Sequence, residues 1–159
     1  MMKKINEMRE LQKKKGKKGF SMIELIIVIA IMAILIALIG TQLIPYLNKS
    51  RENKDLTTLD ACLTNFQSAA ASAEVNLATG QTYTFDASNN KIVGTNVNDA
   101  MNTAFVQFAG YQVKDINGLF KSTAAGSGDV TIEVDANGAL TAKKGTLIAS
   151  AKKSGVNSK

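Results

Sequence analysis

Residues 17–40 read KKGFSMIELIIVIAIMAILIALIG. The stretch is almost wholly apolar, yet it holds one carboxylate, Glu24, shortly after Lys17, Lys18 and Gly19. From Leu25 to Asn48 no charged residue occurs, a run of 24. About 20 apolar residues in a helix cross a bilayer core of ~30 Å, so the run is long enough to span a membrane. A secretory signal peptide has an apolar region of only about 7–15 residues, ending in small residues at its cut. Here the run is longer, and its end, LIALIGTQLI, offers no such site. A plain anchor accounts for the length but leaves Glu24 unexplained. A carboxylate at the bilayer centre costs about 2.5–3.5 kcal/mol. The cost is smaller near the end of the span, but Glu24 still calls for a cation. A cut between Gly19 and Phe20 would make one, a new amine four residues away with a pKa of about 8.

Charge is distributed unevenly around this run. Residues 1–19 hold eight basic side chains (Lys3, Lys4, Arg9, Lys13, Lys14, Lys15, Lys17 and Lys18) against Glu7 and Glu10, which is the whole net charge of +6. Residues 20–159 balance, with eleven basic and eleven acidic side chains. A basic tail before an apolar run keeps that end in the cytoplasm. With the excess confined to this tail, composition gives a nucleic-acid partner no support. There is no histidine and one cysteine, Cys62. That excludes an intramolecular disulfide, the usual Cys/His zinc sites, and nucleophiles that depend on a histidine base. No catalytic constellation, cofactor site or metal site is legible, and the expectation is a protein that is not an enzyme.

The sequence KKG–FSMIE followed by an unbroken apolar run resembles the N-terminus of type IV prepilins and the related pseudopilins. The likeness is strong over residues 13 to about 51 and only architectural beyond. In that family a membrane-embedded aspartyl protease removes the basic leader after the glycine and methylates the new terminal amine. The resemblance thus implies cleavage after Gly19, N-methylation of Phe20, and a subunit-assembly role for Glu24. It implies a homopolymer as the product. The implied partners are the prepilin peptidase/N-methyltransferase and an inner-membrane platform with its assembly ATPase. The subunit would sit in the cytoplasmic membrane, N-terminus inside, before assembly, and in a cell-surface filament after it. Many members carry a proline at the position of Thr41. Here the only proline is Pro45, so a kink is expected around Gly40 to Pro45.

Three segments follow: a leader 1–19 that is removed, an apolar assembly helix 20–48, and a headgroup 49–159. The expected fold class is α+β, a long N-terminal hydrophobic helix packed on a small antiparallel sheet, as in type IV pilins. Leu56, Leu59, Leu63, Phe66, Ala70, Ala73 and Leu77 recur in steps of three and four, an apolar stripe on one helix face. It predicts that the helix runs from about Ser21 to Thr79, with Gly80 as its cap. Gln81–Phe85 reads as a strand, Ser88–Asn90 as a turn, and Val97–Phe108 as a short helix with Val97, Met101, Phe105 and Phe108 on one face. Val130–Val134, Ala139–Lys143 and Thr146–Ser150 read as a three-stranded meander, its first turn at Asp135–Gly138. That turn lacks the spacing and closing glutamate of a calcium loop. Tyr83, Phe85, Phe105, Phe108, Tyr111 and Phe120 are expected in the core, as is Cys62. The pairs Lys143–Lys144 and Lys152–Lys153 read as a solvated edge.

Two other functions stand beside the pilus subunit. A pseudopilin of a type II secretion or competence DNA-uptake machine shares the N-terminus and differs in output. A membrane-anchored binding module that never polymerises would be indifferent to the loss of Glu24.

Overall fold

The computed structural model describes residues 2–14 and 19–151. Lys15, Gly16, Lys17 and Lys18 of the expected leader, and the Lys152–Lys153 pair with the tail after it, lie outside the described residues. The chain divides into two compact units, Met1–Leu43 and Ile44–Lys159.

The first unit holds helix α1, Met2–Lys14, and the start of helix α2, Met22–Ser72. Every side chain from Gly19 to Leu43 is exposed. Helix α2 runs without a break past Gly40 and Pro45, although Pro45 has no N–H to donate, and Thr41 Oγ1 donates to the Leu38 carbonyl at 3.0 Å. Among the described residues, α2 is the one helix long and apolar enough to cross a membrane.

The second unit is an α+β fold. The rest of α2 packs on a five-stranded antiparallel sheet of order β2-β1-β3-β4-β5. The strands are β1 Thr82–Asp86, β2 Lys91–Val93, β3 Val130–Val134, β4 Leu140–Lys144 and β5 Leu147–Ala151. Tyr83 is opposite Ile132, Ile132 opposite Ala142, and Ala142 opposite Ala149. These residues are buried, as the two-residue period of a half-buried sheet requires. From α2, Leu59, Cys62, Leu63, Phe66, Ala69 and Ala70 complete the core. Ring centroids step from Phe66 to Phe85 (5.9 Å), Phe85 to Phe105 (5.1 Å) and Phe105 to Tyr111 (6.0 Å). This tilted and edge-on series ties α2 to β1 and to helix α3, Asp99–Ala109. The expected α+β class and the meander are therefore present, within a sheet of two further strands.

Some boundaries differ from expectation. Helix α2 ends at Ser72 rather than Thr79, and Gly80 is not its cap. The Val75 N–H donates to the Ala70 carbonyl and the Glu74 N–H to that of Ala71, the paired bonds of a Schellman ending. Glu74 takes the left-handed position, φ 54°. Glycine usually fills that place, so the sequence pointed to the next glycine along. Turning there lets Val75 and Leu77 reach the core. Strand β2 occupies part of what reads as loop, since its three residues show one buried side chain, Ile92. In α3, Asn98 caps the first turn by accepting from the Met101 N–H at 2.8 Å. Met101 and Phe105 are buried, but Phe108 is half exposed and not in the core.

Lys144 corrects the solvated-edge reading of its pair. It alternates inward on β4 and is buried, while Lys143 faces Glu133 at 2.5 Å. The turn after it is set by Gly145, φ 60°, where a Cβ would stand 2.3 Å from the Ala124 carbonyl oxygen. The neighbouring Thr146 N–H donates to that same oxygen at 2.9 Å.

Candidate processing and assembly site

Gly19, Phe20 and Ser21 precede the first turn of α2 in non-helical backbone, and all three are exposed. The peptide bond between Gly19 and Phe20 is thus free of helical hydrogen bonding. Four residues on, Glu24 sits in the first turn of the helix. Its Oε2 accepts from the Ser21 N–H at 2.8 Å, and the Leu25 N–H donates to the Ser21 carbonyl at 3.2 Å. This is one arm of a capping box, in which the third helical residue reaches back to the N-cap amide. A negative charge here also meets the positive end of the helix dipole.

Sequence reasoning missed this contact, although its signal was present: Ser-x-x-Glu directly ahead of an apolar run. The consequence is chemical. Glu24 is held at the helix start by the amide of Ser21, the residue next to Phe20, whose nitrogen a cut before Phe20 would release as an amine. Gly19, Phe20, Ser21 and Glu24 lie together at one end of α2. Gly40 and Pro45 lie farther along the same helix.

The second unit carries two buried charges, of which sequence reasoning passed over Asp55 and read Lys144 as solvated. Asp55, on α2, is fully buried. Its carboxylate accepts from the Lys121 N–H at 2.9–3.0 Å and the Ser122 N–H at 2.7 Å. Burial alone would raise its pKa, but the Ser122 and Lys121 amides, with the Lys54 charge, outweigh it and hold the carboxyl below its ordinary value. The carboxylate thereby fixes the link between two short 3-10 turns, Val113–Leu119 and Thr123–Ala125. Lys144 donates to the Gly128 carbonyl and lies 5.4 Å from the Phe120 ring centroid. Desolvation lowers its pKa, and the Asp129 and Asp55 charges offset part of that shift. Burial pushes the Cys62 thiol up to about 12, with Tyr111 beside it offsetting part.

Asp135 acts within the hairpin. Its Oδ1 accepts from the Asn137 N–H at 2.8 Å and the Ala139 N–H at 2.7 Å. The carboxylate is thus engaged in shaping the β3–β4 turn.

Residues 14–40 match the family described as the prokaryotic N-terminal methylation motif. The chain carries that motif. It spans the exposed Gly19–Phe20 bond, the Ser21–Glu24 contact and the apolar run as far as Gly40, and it supports a type IV pilin-like or pseudopilin protein. No curated protein and no solved structure matches the chain. An apolar helix behind a prepilin motif fits membrane anchoring before assembly, and the motif implies processing by a prepilin peptidase.

Proposed function

We propose that the chain is a prepilin whose mature form is a structural subunit of a type IV pilus. The observation that carries this reading is the methylation motif placed at an exposed, non-helical Gly19–Phe20 bond with Glu24 held one turn behind it. The peptidase hydrolyses that bond and releases residues 1–19. Phe20 becomes the new N-terminus, and its amine is methylated and stays basic. The segment 20–48 then serves first as membrane anchor and later as the helix that bundles in the filament.

Glu24 and the Phe20 amine set the register of that bundle. Apolar helices alone slide, because burial is non-directional. A carboxylate left without a partner among them is penalised. The amine of a neighbouring subunit removes the penalty and fixes the stagger between subunits. Before cleavage the Ser21 amide occupies Glu24, so the carboxylate is already positioned when the amine appears. Pro45 lacks an N–H and crowds the carbonyl four residues earlier. It makes Gly40 to Pro45 the place where the helix bends on assembly. The subunit performs no catalysis, and its partners are copies of itself, the peptidase, the platform protein and the assembly ATPase.

The test is the mass and N-terminal sequence of protein sheared from the surface of the producing cell. A species beginning at methylated Phe20 is expected. A chain beginning at Met1 or Met2, found only in membranes, would sink the proposal. A cleaved species confined to the envelope, with none in the sheared fraction, would transfer the chain to the pseudopilins.

A further inference from the structure

Helix α1, Met2–Lys14, has no role in the mature subunit, yet its sequence is patterned. Met2, Ile5 and Met8 recur every third residue and are 84%, 54% and 62% exposed. At about 100° per residue, they fall on one half of the helix, and Glu7 and Glu10 fall on the other. Lys4 and Arg9 share the apolar half. Their stems can lie along apolar surface while their charges reach outward. The acids therefore point away from the surface that the apolar side chains and two of the cations would meet.

We propose that, before the leader is removed, α1 lies in the plane of an anionic lipid surface, with Met2, Ile5 and Met8 at the headgroup–acyl boundary. This rests on the reading of residues 1–19 as a leader on the cytoplasmic side. Three observations select lipid over a protein groove. The first is charge: α1 carries Lys3, Lys4, Arg9, Lys13 and Lys14 against two acids, and anionic lipid attracts each nearby cation. The second is reach. Only residues 15–21 separate α1 from α2, and at no more than about 3.6 Å each they keep α1 close to the membrane that α2 enters. The third is size. A helix of 13 residues is marginal in water without a surface to bind, and this one is too polar to span a bilayer and amphipathic enough to lie on one. Lying flat, α1 would hold the Gly19–Phe20 bond near the membrane surface, where a membrane-embedded peptidase reaches it.

The chain has no tryptophan, so one introduced residue is a clean reporter. Full-length chains bearing Ile5→Trp, Met8→Trp or Glu7→Trp are reconstituted into phosphatidylcholine vesicles with and without phosphatidylglycerol, no peptidase being present. In the anionic vesicles the Ile5→Trp and Met8→Trp chains should emit at shorter wavelength and resist acrylamide quenching, while Glu7→Trp stays water-like. Changing Lys4 and Arg9 to Gln in the Ile5→Trp chain should weaken docking about fivefold for each charge removed, and high salt should act in the same direction. An Ile5→Trp signal that does not move in anionic vesicles overturns the proposal. So does one equally shifted in phosphatidylcholine alone, where anionic lipid would not be the occupant. Failure of the pilus reading is seen separately, in the N-terminus of the sheared protein, and leaves this vesicle measurement readable.

Discussion

Between Leu25 and Leu43, α2 is apolar on every side and wholly exposed, whereas between Leu56 and Ala73 only one stripe is apolar and most of that stripe is buried. One unbroken helix thus presents two kinds of surface. A helix apolar all round needs a surrounding apolar medium, while a striped helix needs one partner face. The stripe has its partner in the sheet, where Phe66 meets Tyr83 at 5.3 Å. The all-apolar part has none among the described residues. Lipid before assembly and other subunits after it are the partners the proposed function supplies. The change of pattern begins after Asn48, where Lys49, Arg51, Glu52 and Lys54 interrupt the run.

The largest expected effect breaks the first region and spares the second. Glu24→Ala leaves the proposed Phe20 amine without its carboxylate among bundled helices. Removing one partner of a buried pair costs about 3–5 kcal/mol, so filament recovered by shearing should fall about a hundredfold or more. The headgroup of the same variant should melt in detergent as the parent does. Normal filament yield from Glu24→Ala would remove the register role. The next effect reverses the pattern. Phe66→Ala should lower headgroup stability by about 3–5 kcal/mol, read by denaturant unfolding of the full chain in detergent. Ile34→Ala, a similar truncation on the same helix, should change that stability by less than about 0.5 kcal/mol. Equal losses would mean that the two stretches do not differ as described.

The sequence made the all-apolar stretch legible because its signal is composition sustained over many residues, which no local turn can override. The stripe was legible too, since Leu59, Leu63 and Phe66 keep the helical period. What escaped were features decided by one residue against its usual preference. Glu74 ends α2 in the left-handed region, where glycine is the common choice. Lys144 is buried because strand alternation turns it inward, and its charge misled a reading based on residue type. The Ser21–Glu24 contact was overlooked for another reason. The carboxylate stood out as a membrane anomaly, and its ordinary use as a helix cap went unweighed. Asp55 was invisible because its donors, the amides of Lys121 and Ser122, are 66 and 67 residues away and are backbone groups that no side-chain pattern announces.

Asp55 sharpens the comparison by showing that the buried half of α2 also holds a charge, satisfied by amides rather than by a second ion. Hydrogen bonds to a charged group contribute about 1.5–3 kcal/mol, and Asp55→Asn should lose about that much at neutral pH. The sign of the pH dependence follows from the lowered folded pKa. The stabilisation is fully present above the unfolded value of about 3.9 and disappears as pH falls through the lower folded value. Unfolding curves of parent and Asp55→Asn should therefore be separated at pH 7 and converge in acid. A constant separation down to low pH would mean that the carboxylate's ionisation is irrelevant and only its shape matters.

Cys62 gives the smallest effect and tests how dry the striped face is. Its thiol is raised to about 12 by burial, whereas an unfolded cysteine titrates near 8.5. The folded state thus keeps a proton that the unfolded state gives up. The corresponding stability is complete below about pH 8.5 and is lost as pH rises from there towards 12. Cys62→Ala should cost about 1 kcal/mol at pH 7 and flatten part of the alkaline decline. In the parent at pH 8, alkylation should require opening of the headgroup, since only the thiolate is nucleophilic and the sulfur is fully buried. The alkylation rate should then rise with denaturant in step with unfolding. Rapid labelling in native buffer would place water at the α2–sheet contact and make the two halves of the helix more alike than their burial shows.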